Sequence, residues 1–90
     1  MRPPTNEERE VLKRVAWWLH DHPNPPARAG IAGLLHDLAQ PGVSLERTIA
    51  AFAGTNALLL LEQWAREEPD GPDYRGAAAI VRGVLGSPPQ

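Results

Sequence analysis

The sequence predicts an all-α fold, a compact antiparallel bundle of five to six short helices, and three observations predict it. Prolines and glycines fall in clusters that cut the chain into segments. Each segment spaces its apolar residues at helical intervals, and none shows the sustained apolar–polar alternation rich in β-branched residues that marks a half-buried strand. The connections are a few residues long, which favours antiparallel neighbours. Ninety residues make one small domain, of a size that buries about 60–65% of the surface of its unfolded chain. The domain is expected over 5–86, with 1–4 and 87–90 as frayed termini.

The first helix opens on Thr5 as N-cap with Glu8 three residues on, a capping box, and runs to about His20. Asn24 followed by Pro25 is read as the N-cap and first-turn proline of a second helix, which carries Ile31, Leu34, Leu35 and Leu38 inward and stops at Pro41-Gly42. Ser44 caps a third, short helix bearing Leu45, Ile49 and Phe52, with Gly54 as its stop. Thr55 or Asn56 caps the fourth, which holds ALLLLEQWA and ends before Pro69, because the residue ahead of a proline avoids the helical region. Asp73 caps the fifth, with Tyr74, Ala77, Val81, Val84 and Leu85 inward and Gly86 as the stop.

Composition narrows the function classes. A formal net charge of -2 supplies no overall positive field for nucleic acid or an anionic membrane. The absence of cysteine removes disulfides, thiolate nucleophiles and cysteine-based metal sites together, and makes the cytoplasm the default compartment. The N-terminal MRPPTNEERE is charged where a signal peptide is apolar, and the longest apolar run, Ala57 to Leu61, is far below the roughly 20 residues that span a bilayer. No membrane is expected.

Chemistry finds little material. His20, His22 and His36 with Asp21 and Asp37 make the only metal set, and its spacing is poor: helical ligand pairs share a face at i,i+3 or i,i+4, whereas His20 and His22 are two apart. Ser44, Ser87, Thr5, Thr48 and Thr55 are accounted for by caps, a helix surface or the tail, and none sits in a nucleophile elbow. The glycines form neither a phosphate loop nor a dinucleotide fingerprint. The expectation is a non-enzyme with no cofactor and no metal.

Two helices carry an apolar residue on the wrong side. On the first, Val11, Leu12, Val15, Ala16 and Leu19 cluster, Trp18 falls at their edge, and Trp17, about 100° further round, lands nearly opposite among Lys13, Arg14, His20 and Asp21. An indole there can lie over a cation. The favoured reading covers Trp17 with the proline-rich turn at Pro23 to Pro26; the sharper one makes it a partner-binding anchor. On the fourth helix Leu59 points away from Ala57, Leu60, Leu61, Trp64 and Ala65, beside Glu62, Gln63 and Arg66. A central helix is the favoured account, an interface the other. Glu62 and Arg66 are spaced for an i,i+4 pair. Ala29, Gly30 and Gly33 on the second helix and Gly76 and Gly83 on the fifth form small-residue faces, read as tight packing inside the domain.

The stretch VSLERTIAAFAGTNALLLLEQW at 43–64 has the outline of a helix-turn-helix, but its second helix presents leucines and Glu62 where base and phosphate contacts need basic or amide side chains, so nucleic acid is disfavoured. The short antiparallel helices together with PPARAGIAGLLHDL (25–38) and GTNALLLLEQWAREEP (54–69) resemble the small helical adaptor domains of the death-like class, in particular the bacterial effector-associated domains of signalling and conflict systems. The likeness covers about positions 8–86. It implies a protein partner or self-association through charged and apolar patches. The predicted outer faces carry both signs: Lys13, Arg14, Arg28, Arg47 and Arg66 against Asp21, Asp37, Glu62 and Glu67. The candidate partner-binding residues are therefore Trp17, Lys13, Arg14, Asp21, Leu59, Glu62 and Arg66. The alternative is a small regulator: an antitoxin-like inhibitor, a helix-turn-helix DNA-binding protein or a phage accessory protein.

Overall fold

The computed structural model describes residues 3–42 and 44–86, without the side chains of Leu45 and Ala53. Five helices follow one another: α1 (Asn6–Asp21), α2 (Ala27–Ala39), α3 (Leu45–Ala53), α4 (Ala57–Glu67) and α5 (Tyr74–Leu85), with no strand among the described residues. The expected all-α fold is what the chain adopts. Its radius of gyration, 12.1 Å, equals the roughly 12 Å of a packed chain this long.

Local chemistry sets most helix ends. Thr5 accepts from the Glu8 amide while the Glu8 carboxylate accepts from the Thr5 amide, closing the capping box of α1. Ser44 accepts from the Arg47 amide at the start of α3, and Asp73 from the Gly76 amide at the start of α5. At α4 the cap is divided: Asn56 holds the N-cap position without a side-chain bond, and the Thr55 hydroxyl accepts from the Ala57 amide. Gly86 ends α5 at φ 86°, backbone that a side chain would strain. The expected start of α2 is corrected. Asn24 does not cap it; the helix begins at Ala27 with Pro26 in the cap position and no side-chain bond. Pro25 stands directly before another proline, which steers it away from helical ψ, so the helix cannot include it.

Packing runs from α3 onto α2, from α2 onto α1, from α1 onto α5 and from α5 onto α4, with the α1–α2 contact the most extensive. Between them lie Leu12, Val15 and Leu19 of α1, Ile31, Leu35 and Leu38 of α2, Phe52, Leu61, Trp64, and Tyr74, Val81 and Val84 of α5, all buried. Val11, Leu34, Ile49, Leu60, Ala65 and Leu85 are half-buried at its margin. The helix at the centre of this order is α1, not α4; α4 packs chiefly on α5, and Leu59 is 60% exposed. That corrects the reading of Leu59 as buried within a central helix.

The head of the chain also differs from expectation. Pro4, placed in a frayed terminus, is buried and shares a pocket with Arg9, Leu38, Pro41 and Thr48. Residues 1 and 2 of that head, and the tail 87–90 with Ser87, lie outside the described residues.

Candidate interaction site

Because adjacent helical residues diverge by about 100°, Trp17 and Trp18 enter different environments. Trp18 turns toward α2 and α5. His22, just past the end of α1, stacks on its ring at 4.0 Å between centroids and 13° between planes, with the His22 ring Nδ1 2.9 Å from the Trp18 carbonyl. His22, the residue before the proline turn, thus covers Trp18.

Behind Trp18 is a polar centre of Arg28, Glu68 and Tyr74, the last of which was expected inward. Arg28, expected among the outer cations, is buried. Its guanidinium lies 5.2 Å from the Trp18 ring centroid and 5.1 Å from that of Trp64, and forms an ion pair with Glu68. The other Glu68 oxygen accepts from the Tyr74 hydroxyl at 3.2 Å. A guanidinium between two indoles is held by their quadrupoles as well as by the carboxylate. Burial pushes the Tyr74 phenol up to about 12; the Arg28 charge opposes that rise, and the Glu68 charge and hydrogen bond add to it. The cationic partner of the tryptophans is therefore Arg28, and it serves Trp18 and Trp64 rather than Trp17. Forty residues separate Arg28 from Glu68, so no local spacing could have shown the pair.

Trp17 is 57% exposed, and Pro23 to Pro26 are themselves exposed and do not cover it. The favoured expectation for Trp17 is corrected: its indole is left open, and it is Trp18 that is covered, by His22. Trp17 instead overhangs a groove of about 260 Å³ between α1 and α2, lined by Ala16, Trp17 and His20 from the first helix and Ala29, Ala32, Gly33 and His36 from the second. Its ring meets His20 edge-on at 5.6 Å and His36 at 6.0 Å. His36 is half-buried against this groove.

Of the small residues of α2, Ala29 and Gly33 line the groove from its exposed side and Ala32 lines it from the core. A Cβ added at Gly30 or Gly33 would meet nothing within 4 Å, so close packing is not the reason for either glycine. Gly76 is different. A Cβ there would come within 2.1 Å of the Asp73 carboxylate that caps its helix.

The charged candidates fall into two patches. Lys13, Arg14 and Asp21 share α1 with Trp17; Lys13 pairs with Glu10 at 3.5 Å, Arg14 is exposed, and Asp21 lies 3.6 Å from the His20 ring. Glu62 and Arg66 line another groove, against α5, and the Trp17 groove contains no residue of α4. Glu62 pairs with Arg82 of α5, not with Arg66, because the α4–α5 contact presents a nearer guanidinium. Leu59 lines neither groove. Among the described residues no three His, Cys, Asp or Glu side chains gather as a metal site would require, and no helix is long and apolar enough to cross a membrane. The chain matches no protein-family model, no curated protein and no solved structure.

Proposed function

We propose that this chain is a non-enzymatic protein-interaction module, a cytoplasmic adaptor of the death-like kind whose binding face is the Trp17 groove, with self-association the form its sequence resemblance implies. The observation that carries the reading is Trp17, more than half exposed, overhanging an apolar groove whose wall includes a glycine with open space at its Cβ. A large exposed indole beside a vacant apolar hollow is the composition of an interface anchor and its receptacle. Helical glycine costs roughly 1 kcal/mol against alanine, so keeping Gly33 open sacrifices stability for space. Lys13, Arg14 and Asp21 put both signs of charge around the indole, where they orient an approaching partner more than they hold it.

Sedimentation velocity across a concentration series tests this. The wild-type chain is expected to associate. Trp17→Ala, which removes the anchor, and Gly33→Leu, which fills the receptacle, are each expected to weaken association by about 30-fold or more, with unchanged helical circular dichroism. Identical sedimentation of all three proteins at every concentration would overturn the homotypic reading. Unfolding by Trp17→Ala would make the indole a structural residue.

A further inference from the structure

We infer that the groove between α4 and α5 is a second, separate binding surface, and that it takes a carboxylate-rich segment of a protein partner. The groove, about 370 Å³ in volume, has guanidinium groups on both walls: Arg66 from α4, and Arg75 and Arg82 from α5, over a floor that includes Ala78 and Ala79. Arg75 and Arg82 are seven residues apart, two helical turns or about 10 Å along one face.

The carboxylates around it are already engaged. Glu62 holds Arg82 within the groove, Glu68 is turned inward to Arg28 and Tyr74, and Asp73 accepts from the Gly76 amide at 2.9 Å. Among the described residues no ion pair reaches Arg66 or Arg75, and both are exposed. Arg75 also stands in the first turn of α5, the end at which the helix dipole disfavours a cation. Two unpaired guanidiniums thus share one groove on a chain whose net charge is -2. A carboxylate guest would relieve both, since the planar fork of arginine matches carboxylate geometry in two parallel hydrogen bonds. Arginine clusters recognise acidic motifs by this means.

The groove's own contents favour a peptide over a nucleic acid. The Glu62–Arg82 pair is a carboxylate seated on one of these guanidiniums, the contact that a guest carboxylate would repeat at Arg66 and Arg75. Only two free cations remain, too few for the counterion release that drives polyanion binding.

Isothermal titration of the full chain with a short peptide of alternating glutamate and alanine, and separately with a single-stranded oligothymidine, is the test. Expected are saturable peptide binding at low ionic strength, losses of about fivefold in affinity for Arg66→Gln and Arg75→Gln, and no change for Arg47→Gln, an exposed arginine of α3. Both arginines are exposed, so circular dichroism of the variants should match the wild type. Absence of saturable peptide binding, an equal loss from Arg47→Gln, or tighter binding of the oligonucleotide would each overturn the inference. Trp17→Ala should leave peptide binding intact, so failure of this surface and failure of the Trp17 face are read separately.

Discussion

On one side of α1, Trp18 is packed with Arg28, Trp64, Tyr74 and Glu68 into an arrangement in which both Glu68 oxygens are engaged, one by the Arg28 guanidinium and one by the Tyr74 hydroxyl. On the other side, one residue earlier, Trp17 meets two imidazole rings, small side chains and solvent. Both regions join α1 to α2 and both centre on an indole. The difference lies in what α2 offers: a cation with a distant carboxylate behind it in one case, alanines and an open glycine in the other. The contacts of Arg28 with Trp18, Trp64 and Glu68 hold α2 against α1 at one side, and the hollow beside Trp17 lies at the other.

The comparison breaks most sharply at Arg28. Arg28→Ala leaves Glu68 without its cation and opens a gap between two indoles, and is expected to destabilise the fold by about 3 kcal/mol in urea denaturation, a large share of a small domain's stability. The double variant Arg28→Met with Glu68→Gln should cost less than this, because no unpaired charge remains. Next come the two tryptophans themselves. Trp18→Ala should lose about 3 kcal/mol and Trp17→Ala no more than about 0.5 kcal/mol by the same measurement; equal losses would erase the distinction.

Alkaline titration sharpens the buried side. With its phenol near 12 in the folded chain and near 10 unfolded, Tyr74 keeps its proton over a range in which the unfolded chain has lost it. The stability tied to that proton is fully present below about pH 10 and declines through about pH 12, by about 3 kcal/mol in all. Tyr74→Phe should flatten that decline in denaturant midpoints measured against pH. The smallest effects come from two glycines with opposite signs. Gly33→Ala should stabilise by up to about 1 kcal/mol, because its Cβ enters open space; Gly76→Ala should destabilise by about 1 kcal/mol, because its Cβ displaces the Asp73 cap.

Local rules carried much of the fold. The caps at Thr5, Ser44 and Asp73, the stop at Gly86 and the outward turn of Trp17 and Leu59 all follow from spacing along one helix, and such spacing is visible in a sequence. Three features were not legible, for three reasons. The start of α2 depends on a pair of prolines that restrict one another, which overrode the capping potential of Asn24. Arg28 is buried by a partner forty residues away, so its helix alone reads as having a cation on the outside. Glu62 had two arginines within reach, and the choice of Arg82 over Arg66 was settled by how α5 lies on α4. In the candidate site, Trp17 and its charged neighbours were found from periodicity, whereas the groove beneath it required the facing surface of α2.

The separation of the three tryptophans gives the chain a built-in optical label. Trp64 is buried and Trp18 half-buried, both face a guanidinium, and Trp18 also lies against an imidazole. Trp17 is the solvated indole, so its emission lies to the red of theirs and its colour follows the polarity of the hollow it overhangs. Excitation at the red edge of the absorption band selects that population, and a shift toward the blue then registers the moment at which something apolar closes over the groove, in the unmodified protein.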